Sequence, residues 1–277
     1  MDDYRTFNRA NWDERAPAHA ASRDYAFDRF IEDPTFLSEV VRYDRARLGD
    51  VSGLRGIHLQ CHIGTDTLSL SRLGARMTGL DFSAASIAEA RRLVAATGEE
   101  VNFVESEVYG AVQALGGSSF DLVYTGIGAL CWLPEIRRWA QVVAELLRPG
   151  GRLFIREGHP MLWTLADERE DHLLVVEDSY FERVEPLVTS YAGTYVDTDV
   201  EFSENTTHSW NHGLGEIVTA LLDQQMEITM LVEHDSVPWE ALFGEMVRDE
   251  HGEWRLADRP WRLPHTYTLQ AVKRAGG

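Results

Sequence analysis

Between residues 53 and 160, short β-rich runs alternate with helical runs, and this alternation limits the fold more than any other feature of the chain. The β-rich runs are "GIHLQC", "RMTGL", "VNFVE", "FDLVYT" and "GRLFIR". Strands separated by helical crossovers form βαβ units, and these build a parallel sheet. The helical runs carry their own boundary signals. "DTLSLSRLGA" ends where Gly74 can close it. "SAASIAEARRLVAATG" has Ser83 as its N-cap and Gly98 beyond its end. In "PEIRRWAQVVAELLRPGG", residues Ile136, Trp139, Val143, Leu146 and Leu147 share one face; Pro134 opens the helix and Pro149-Gly150-Gly151 closes it.

The flanks read differently. Residues 1–50 are amphipathic and helical, with Trp12, Tyr25, Phe27, Phe30 and Phe36 among charges and a break at Pro34. After residue 160 the pattern loosens. "HLLVVEDSYFERVEPLVTSYAGTYVDTDVEF" reads as antiparallel β with loops, "LGEIVTALLDQQ" as a helix, and "MEITMLVEH" with "HTYTLQAVK" as a closing strand pair. A length of 277 residues suits one decorated α/β domain. The expected organisation is an N-terminal helical cap (1–50), a core (51–160), an inserted lid (161–211), and a C-terminal helix with closing strands of the same domain (212–277).

Charge narrows the partners. Lys and Arg number 26 against 45 Asp and Glu, a net charge of −19. Such a chain does not favour nucleic-acid phosphates or anionic membranes, so neither partner is expected. The charged start "MDDYRTFNRANWDERAPAHA" has no apolar core of a secretory signal, and no uncharged apolar run is long enough to span a bilayer. The two cysteines, Cys61 and Cys131, fall within apparent core elements, which suits a reducing cytoplasm.

The stretch "HLQCHIGTDTLSL" (58–70) stands where α/β folds place a ligand loop. A dinucleotide loop needs G-x-G-x-x-G so that backbone can approach a pyrophosphate. Here Gln60, His62 and Ile63 fill those positions and only Gly64 remains, and no GK[ST] follows. As metal ligands, His58 and Cys61 would point to opposite faces of a strand, and no second cluster has zinc-like spacing; no metal is expected. Cys61 lacks an obvious base and reads as a structural thiol. S-adenosylmethionine fits better, because it has no phosphate and needs one close backbone approach. Asp81 in "GLDFS" ends the second strand, where a carboxylate can accept both ribose hydroxyls. In "FVESEVY", Glu107 and Val108 are placed to meet an adenine.

Taken in order, "HLQCHIGTDTLSL", "GLDFS", "VESEVY", "FDLVYTGIGAL" and "LLRPGGRLFIREG" resemble the core of class I S-adenosylmethionine-dependent methyltransferases of the small-molecule type, with an LQCHIG-type cofactor loop. The resemblance implies a Rossmann-like α/β fold: a mostly parallel sheet with an antiparallel edge strand, an N-terminal helical cap and an inserted β-rich lid. It implies that S-adenosylmethionine is held by Trp12, Gln60, His62, Gly64, Asp81, Phe82, Glu107, Val108, Thr125 and Gly126. The family loop usually reads acidic-x-G-x-G-x-G. Here His58 stands at the acid, Gln60 at the first glycine and His62 at the second. The methionine ammonium must then find another partner, for which Trp12, Arg15 and the Thr125–Gly126 carbonyls are candidates. The resemblance further implies that the N-terminal helix closes over the cofactor. A cofactor-binding protein without catalysis and an NAD-dependent oxidoreductase are the alternatives, and the missing glycines oppose the second.

Ligands of open α/β sheets bind beyond the carboxyl ends of the strands. "EGHPMLW" follows the fifth strand, "THSWNHGLGEI" precedes a helix and "VEHDSVPW" follows the next strand. Glu157, His159, His208 and His212 are the candidate catalytic groups, as proton acceptors from an oxygen, nitrogen or carbon acceptor. Each also has a plainer reading, as a helix cap, an ion-pair partner or a packing residue. The expected partner is a small organic acceptor under a closed lid, and a homo-oligomer through the N-terminal segment is compatible with the pattern.

Overall fold

The computed structural model describes residues 4–166 and 169–274. Residues 1–3, 167–168 and 275–277, at the start of the expected cap, inside the expected lid and at the end of the C-terminal part, lie outside the described residues. Eight α-helices appear among the described residues: α1 (Tyr4–Ala21), α2 (Phe27–Glu32), α3 (Glu39–Leu48), α4 (Thr65–Arg72), α5 (Ala84–Thr97), α6 (Ala111–Ala114), α7 (Ile136–Leu146) and α8 (Leu214–Asp223). The strands are β1 (Arg55–Leu59), β2 (Arg76–Asp81), β3 (Asn102–Glu105), β4 (Phe120–Thr125), β5 (Leu147–Gly158), β6 (Leu187–Ser190), β7 (Thr206–Ser209), β8 (Met226–His234), β9 (Met246–Arg248), β10 (Trp254–Leu256) and β11 (Thr266–Lys273).

Seven of these strands form one sheet in the order β3-β2-β1-β4-β5-β11-β8. The first five pair in parallel, and β11 runs antiparallel to both neighbours. The antiparallel strand is thus one in from the edge, with β8 outside it. Strand order reverses between β1 and β4. Crossovers leave toward opposite faces at such a point and open a crevice above the strand ends.

Side-chain alternation splits the core in two. Ile57, Leu59, Val123, Leu153 and Ile155 turn to one face and pack under α7 and α8, where Trp139, Val143, Leu146 and Leu221 are buried. Leu122, Tyr124 and Phe154 turn to the other face, under α3 and α4, with Val41, Leu48 and Leu70. Fully burying side chains of this size stabilises by roughly 1.5–3 kcal/mol each, so a one-residue slip of any central strand would be costly. The helix signals act where expected: Ser83 accepts the Ser86 N–H, and Gly98 closes α5 in the left-handed region at φ 70°. The run 134–151 differs. Helix α7 stops at Leu146 and β5 already begins at Leu147, so the Pro149-Gly150-Gly151 turn residues lie within the strand.

Helix α1 is fastened on two sides. Asp13 Oδ1 accepts from the Ser83 hydroxyl at 2.6 Å and the Ala85 N–H at 3.1 Å, at the start of α5. Ala16 and Ala20 join Ile87, Ala90 and Leu93 in a buried cluster. On its other side, buried Arg15 donates to the carbonyls of Glu204, Tyr191 and Gly193 at 2.8–3.1 Å. Strands β6 and β7 form an antiparallel pair next to this helix, and most of residues 161–211 is irregular. A second small pair, β9 and β10, lies between β8 and β11 in the chain.

Candidate active site

A cavity of about 1120 Å³ opens above the strand ends at the β1/β4 reversal. Its floor comes from the 58–66 loop, Asp81, Phe82 and residues 126–132. Its walls come from α1, the α1–α2 turn, the β6–β7 pair and residues 238–254. Small-molecule pockets are usually 300–1,000 Å³, so this one has room for a cofactor together with a second ligand.

The floor keeps a glycine-type backbone without the glycines. Gln60 and His62 hold φ values of 55° and 50°, and Gly64 holds 81°. The left-handed conformation costs a residue with a side chain roughly 1–2 kcal/mol, which the surrounding bonds offset. Gln60 Nε2 donates to the Ala129 carbonyl at 2.8 Å. The His62 N–H donates to Asp81 Oδ2 at 2.9 Å. Gly64 is needed for packing: a Cβ there would lie 2.7 Å from Ala90 Cβ and 2.9 Å from Phe103.

Asp81 ends β2 on the cavity wall. Its Oδ1 accepts the Ser83 N–H at 2.9 Å, as Oδ2 accepts from His62. Each oxygen retains a lone pair, and the two N–H bonds fix the plane of the carboxylate. Burial pushes its carboxyl up to about 6, against the pull of these N–H groups.

The other expected cofactor residues divide. Trp12, Gln60, His62, Phe82 and Gly126 reach the cavity wall with Asp81. Trp12 stacks edge-on to His62 at 5.1 Å and to Trp132 at 5.5 Å. Glu107 and Val108 do not line the cavity. Glu107 pairs with Arg5 of α1 at 3.1 Å, and Val108 is buried in the core under α7. Thr125 is wholly buried one residue before the wall at Gly126. Arg15 donates to carbonyls of residues 191–204, and as a cation with donors only it offers an ammonium no acceptor.

The four expected catalytic groups are placed otherwise, and none lines the large cavity. Glu157 follows Leu153 and Ile155 to the α7–α8 face of the sheet, because alternate residues of a strand share a face. Its carboxylate accepts four backbone N–H groups: Gly128 at 2.5 Å, Gly158 at 2.7 Å, Ala129 at 2.8 Å and Leu130 at 2.9 Å. Burial raises its pKa and those donors oppose the rise. It anchors the turn after β4 and has no free position for a substrate. His159 is buried; Nε2 meets Glu233 at 2.9 Å and Nδ1 accepts the Met161 N–H at 3.1 Å. His212 is also buried between Glu182 (2.7 Å) and the Leu133 carbonyl (2.7 Å), so both ring nitrogens are engaged. In β7, Thr207 and Ser209 face the cavity while His208 turns the opposite way, onto Phe7 at 5.2 Å between ring centroids.

The wall also carries His62, Tyr25 and Tyr195, with buried His19 packed against them. His62 Nε2 lies 3.1 Å from His19 Nδ1, whose Nε2 meets the Thr194 hydroxyl at 2.6 Å. The Tyr25 and Tyr195 hydroxyls meet at 2.5 Å. Burial lowers His19 to about 3 and holds His62 well below its ordinary value, so both imidazoles are neutral. These residues are scattered from 19 to 195; only the packing of α1 against the 187–209 segment joins them. Among the described residues, no group of three or more His, Cys, Asp or Glu side chains is placed to hold a metal ion. None of the described helices is long and apolar enough to cross a membrane.

Comparison with known proteins agrees with this geometry. Residues 57–153 match the methyltransferase domain family. The chain is 33% identical over 112 residues to a ubiquinone biosynthesis O-methyltransferase of Cronobacter sakazakii, covering 40% of this chain and 45% of the relative. It is 35% identical over 126 residues to a trans-aconitate 2-methyltransferase of Deinococcus radiodurans, covering 42% of this chain and 45% of the relative. The chain thus spans less than half the length of these relatives. An S-adenosylmethionine-dependent methyltransferase from Mesorhizobium loti superimposes with a TM-score of 0.54 at 19% identity, over 85% of this chain and 98% of that one, a likeness of fold. Residues 57–153, from β1 into β5, thus carry a methyltransferase domain, and the reversed seven-stranded sheet that completes it has the fold of S-adenosylmethionine-dependent methyltransferases.

Proposed function

We propose that this chain transfers a methyl group from S-adenosylmethionine to a small organic acceptor enclosed in the cavity. The observation that carries this reading is Asp81. Its carboxylate is oriented by two backbone N–H groups, retains acceptor capacity on both oxygens, and stands on the cavity wall at the strand-order reversal. A vicinal diol matches that group, and a pyrophosphate does not. The loop side chains Gln60 and His62 also occupy wall positions that a pyrophosphate would need as bare backbone. The cofactor supplies a methyl on a positively charged sulfur. The protein's part is to align the acceptor and exclude water, which can provide effective molarities of about 10⁵ M or more.

The outer walls support an acceptor with an apolar or aromatic body. Trp163 and Trp239 stand nearly parallel at 6.1 Å, and Phe181, Phe243 and Trp254 share that end of the cavity. The likeness to a ubiquinone biosynthesis O-methyltransferase and a trans-aconitate 2-methyltransferase also favours a small-molecule acceptor. The two free cysteines support a reducing, cytoplasmic setting.

Calorimetric titration tests the reading. Micromolar binding of S-adenosylmethionine with no heat from NADH is expected. Binding of NADH alone would replace it by the oxidoreductase reading. Binding of S-adenosylmethionine without turnover of any small aromatic or apolar acceptor in a methylation screen would favour a non-catalytic binding protein.

A further inference from the structure

The loop lacks the acid found at the end of β1 in the sequence pattern it resembles, and the structure offers a different group. Asp66 lies in the first turn of α4 and reaches the cavity wall. His58 lies at the end of β1, buried, and reaches the same wall. His58 Nδ1 meets the Thr67 hydroxyl at 2.8 Å. Its Nε2 is buried and has no hydrogen-bond partner. The two side chains converge over Gly126: a methyl placed on that glycine would lie 3.3 Å from His58 Nε2 and 3.7 Å from Asp66 Oδ2. The absence of a side chain at Gly126 leaves that space open to the cavity.

We infer that Asp66 and His58 together hold the ammonium of the cofactor's amino-acid end, Asp66 as the counter-charge and His58 Nε2 as a second acceptor. This rests on the S-adenosylmethionine reading above.

Three features fit a cationic guest. Burial raises the Asp66 carboxyl, opposed by the Ser38 hydroxyl and by Arg156, whose guanidinium is already bound by Glu253. A bound cation would compensate that buried charge. Burial also lowers His58 to about 3, so the ring is neutral and does not repel a cation. The neutral tautomer that donates Nδ1–H to the Thr67 hydroxyl leaves Nε2 as a bare lone pair. An imidazole lone pair and a carboxylate oxygen around one open space form an acceptor pair for an N⁺–H donor.

The test compares two ligands that differ at the amino-acid end. S-adenosylhomocysteine carries the ammonium and carboxylate; 5′-methylthioadenosine keeps the adenine, ribose and sulfur but lacks both. Each is titrated calorimetrically against wild type, Asp66→Asn and His58→Asn, with thermal unfolding confirming that the variants are folded. Asp66→Asn is expected to weaken S-adenosylhomocysteine by about tenfold or more, the scale of a hydrogen bond to a charged group. It should leave 5′-methylthioadenosine within about twofold. His58→Asn keeps a polar group near Thr67 but removes Nε2, and should show the same selectivity with a smaller loss. Equal loss of both ligands, or loss of neither, overturns the inference while leaving the cofactor assignment intact. Wild type that binds neither ligand overturns the methyltransferase reading itself, and this inference with it.

Discussion

The floor of the cavity and its cover are built by different physics. The floor, residues 57–128, is locked by strand pairing, by left-handed corners at 60, 62 and 64, and by backbone N–H groups aimed at Asp81. The cover, residues 161–213 and 235–265, carries large apolar side chains open to solvent, among them Val184 at 74% and Trp261 at 79% exposure. Beyond the short β6–β7 and β9–β10 pairs its described residues have little regular structure, and it is tied down by polar tethers: Arg15 to carbonyls of 191–204, His212 to the Leu133 carbonyl, and Glu253 to Arg156. Regions with few buried apolar contacts open at lower free energy than the core. On the function proposed above, cofactor recognition falls to the floor and acceptor choice to the cover, which can change without unsettling the core.

The strongest way to break that division is at Glu253. It holds Arg156 of β5 through two bonds, at 2.6 and 3.1 Å, with neither residue more than 2% exposed. Glu253→Gln leaves a buried guanidinium without its counter-charge, and removing one partner of such a pair costs about 3–5 kcal/mol. Chemical denaturation is expected to show that loss. If the variant keeps wild-type stability, the cover is not tied to the sheet through this pair.

Asp81→Ala attacks the floor directly. It should weaken S-adenosylhomocysteine by about 1.5–3 kcal/mol, the scale of hydrogen bonds to a charged group, as measured by calorimetry. Unchanged affinity would remove Asp81 from the ribose site.

Glu157→Gln separates a structural carboxylate from a catalytic one. An amide there sets an NH₂ group against backbone donors, and an unsatisfied buried polar group costs about 1–3 kcal/mol. The expected result is lower thermal stability with turnover per folded molecule little changed. Full stability with lost turnover would restore Glu157 to the chemistry.

The smallest effect is in pH. Because the Asp81 carboxyl is raised to about 6, its ionised form declines below that pH. Cofactor affinity should therefore fall by up to about tenfold per pH unit under pH 6. The stability of the unliganded protein should move the other way. A raised carboxyl favours the protonated native state, so the Asp81 contribution is present below the ordinary carboxylate range and is lost as pH rises through about 6. Asp81→Asn should flatten both trends relative to wild type; a parallel fall of affinity in that variant would assign the titration to another group.

Local chemistry makes much of the floor legible in the sequence. The α5 caps Ser83 and Gly98, the strand runs and the acid at the end of β2 act through neighbours within a few residues, or through a periodicity that any central strand must obey. The same short range explains the misplaced groups. A histidine or glutamate after a strand reads alike whether it faces a cavity or a backbone nest; Glu157, His159 and His212 went to nests, carbonyls and carboxylates supplied by residues from 128 to 233.

By itself the sequence determined the alternating α/β core, the loop that follows β1 and the position of Asp81 at the end of β2. Hydrophobic period, caps and strand ends are written in consecutive residues. Only the tertiary structure decided which polar groups meet. His58 and Asp66 converge over Gly126, and His62, Tyr25 and Tyr195 gather on one wall with buried His19 against them. The first meeting depends on β1 pairing with β4, which brings the 58–66 loop to Gly126, and the second on how α1 and the 187–209 segment close over the sheet; neither pairing of distant segments leaves a local pattern to read.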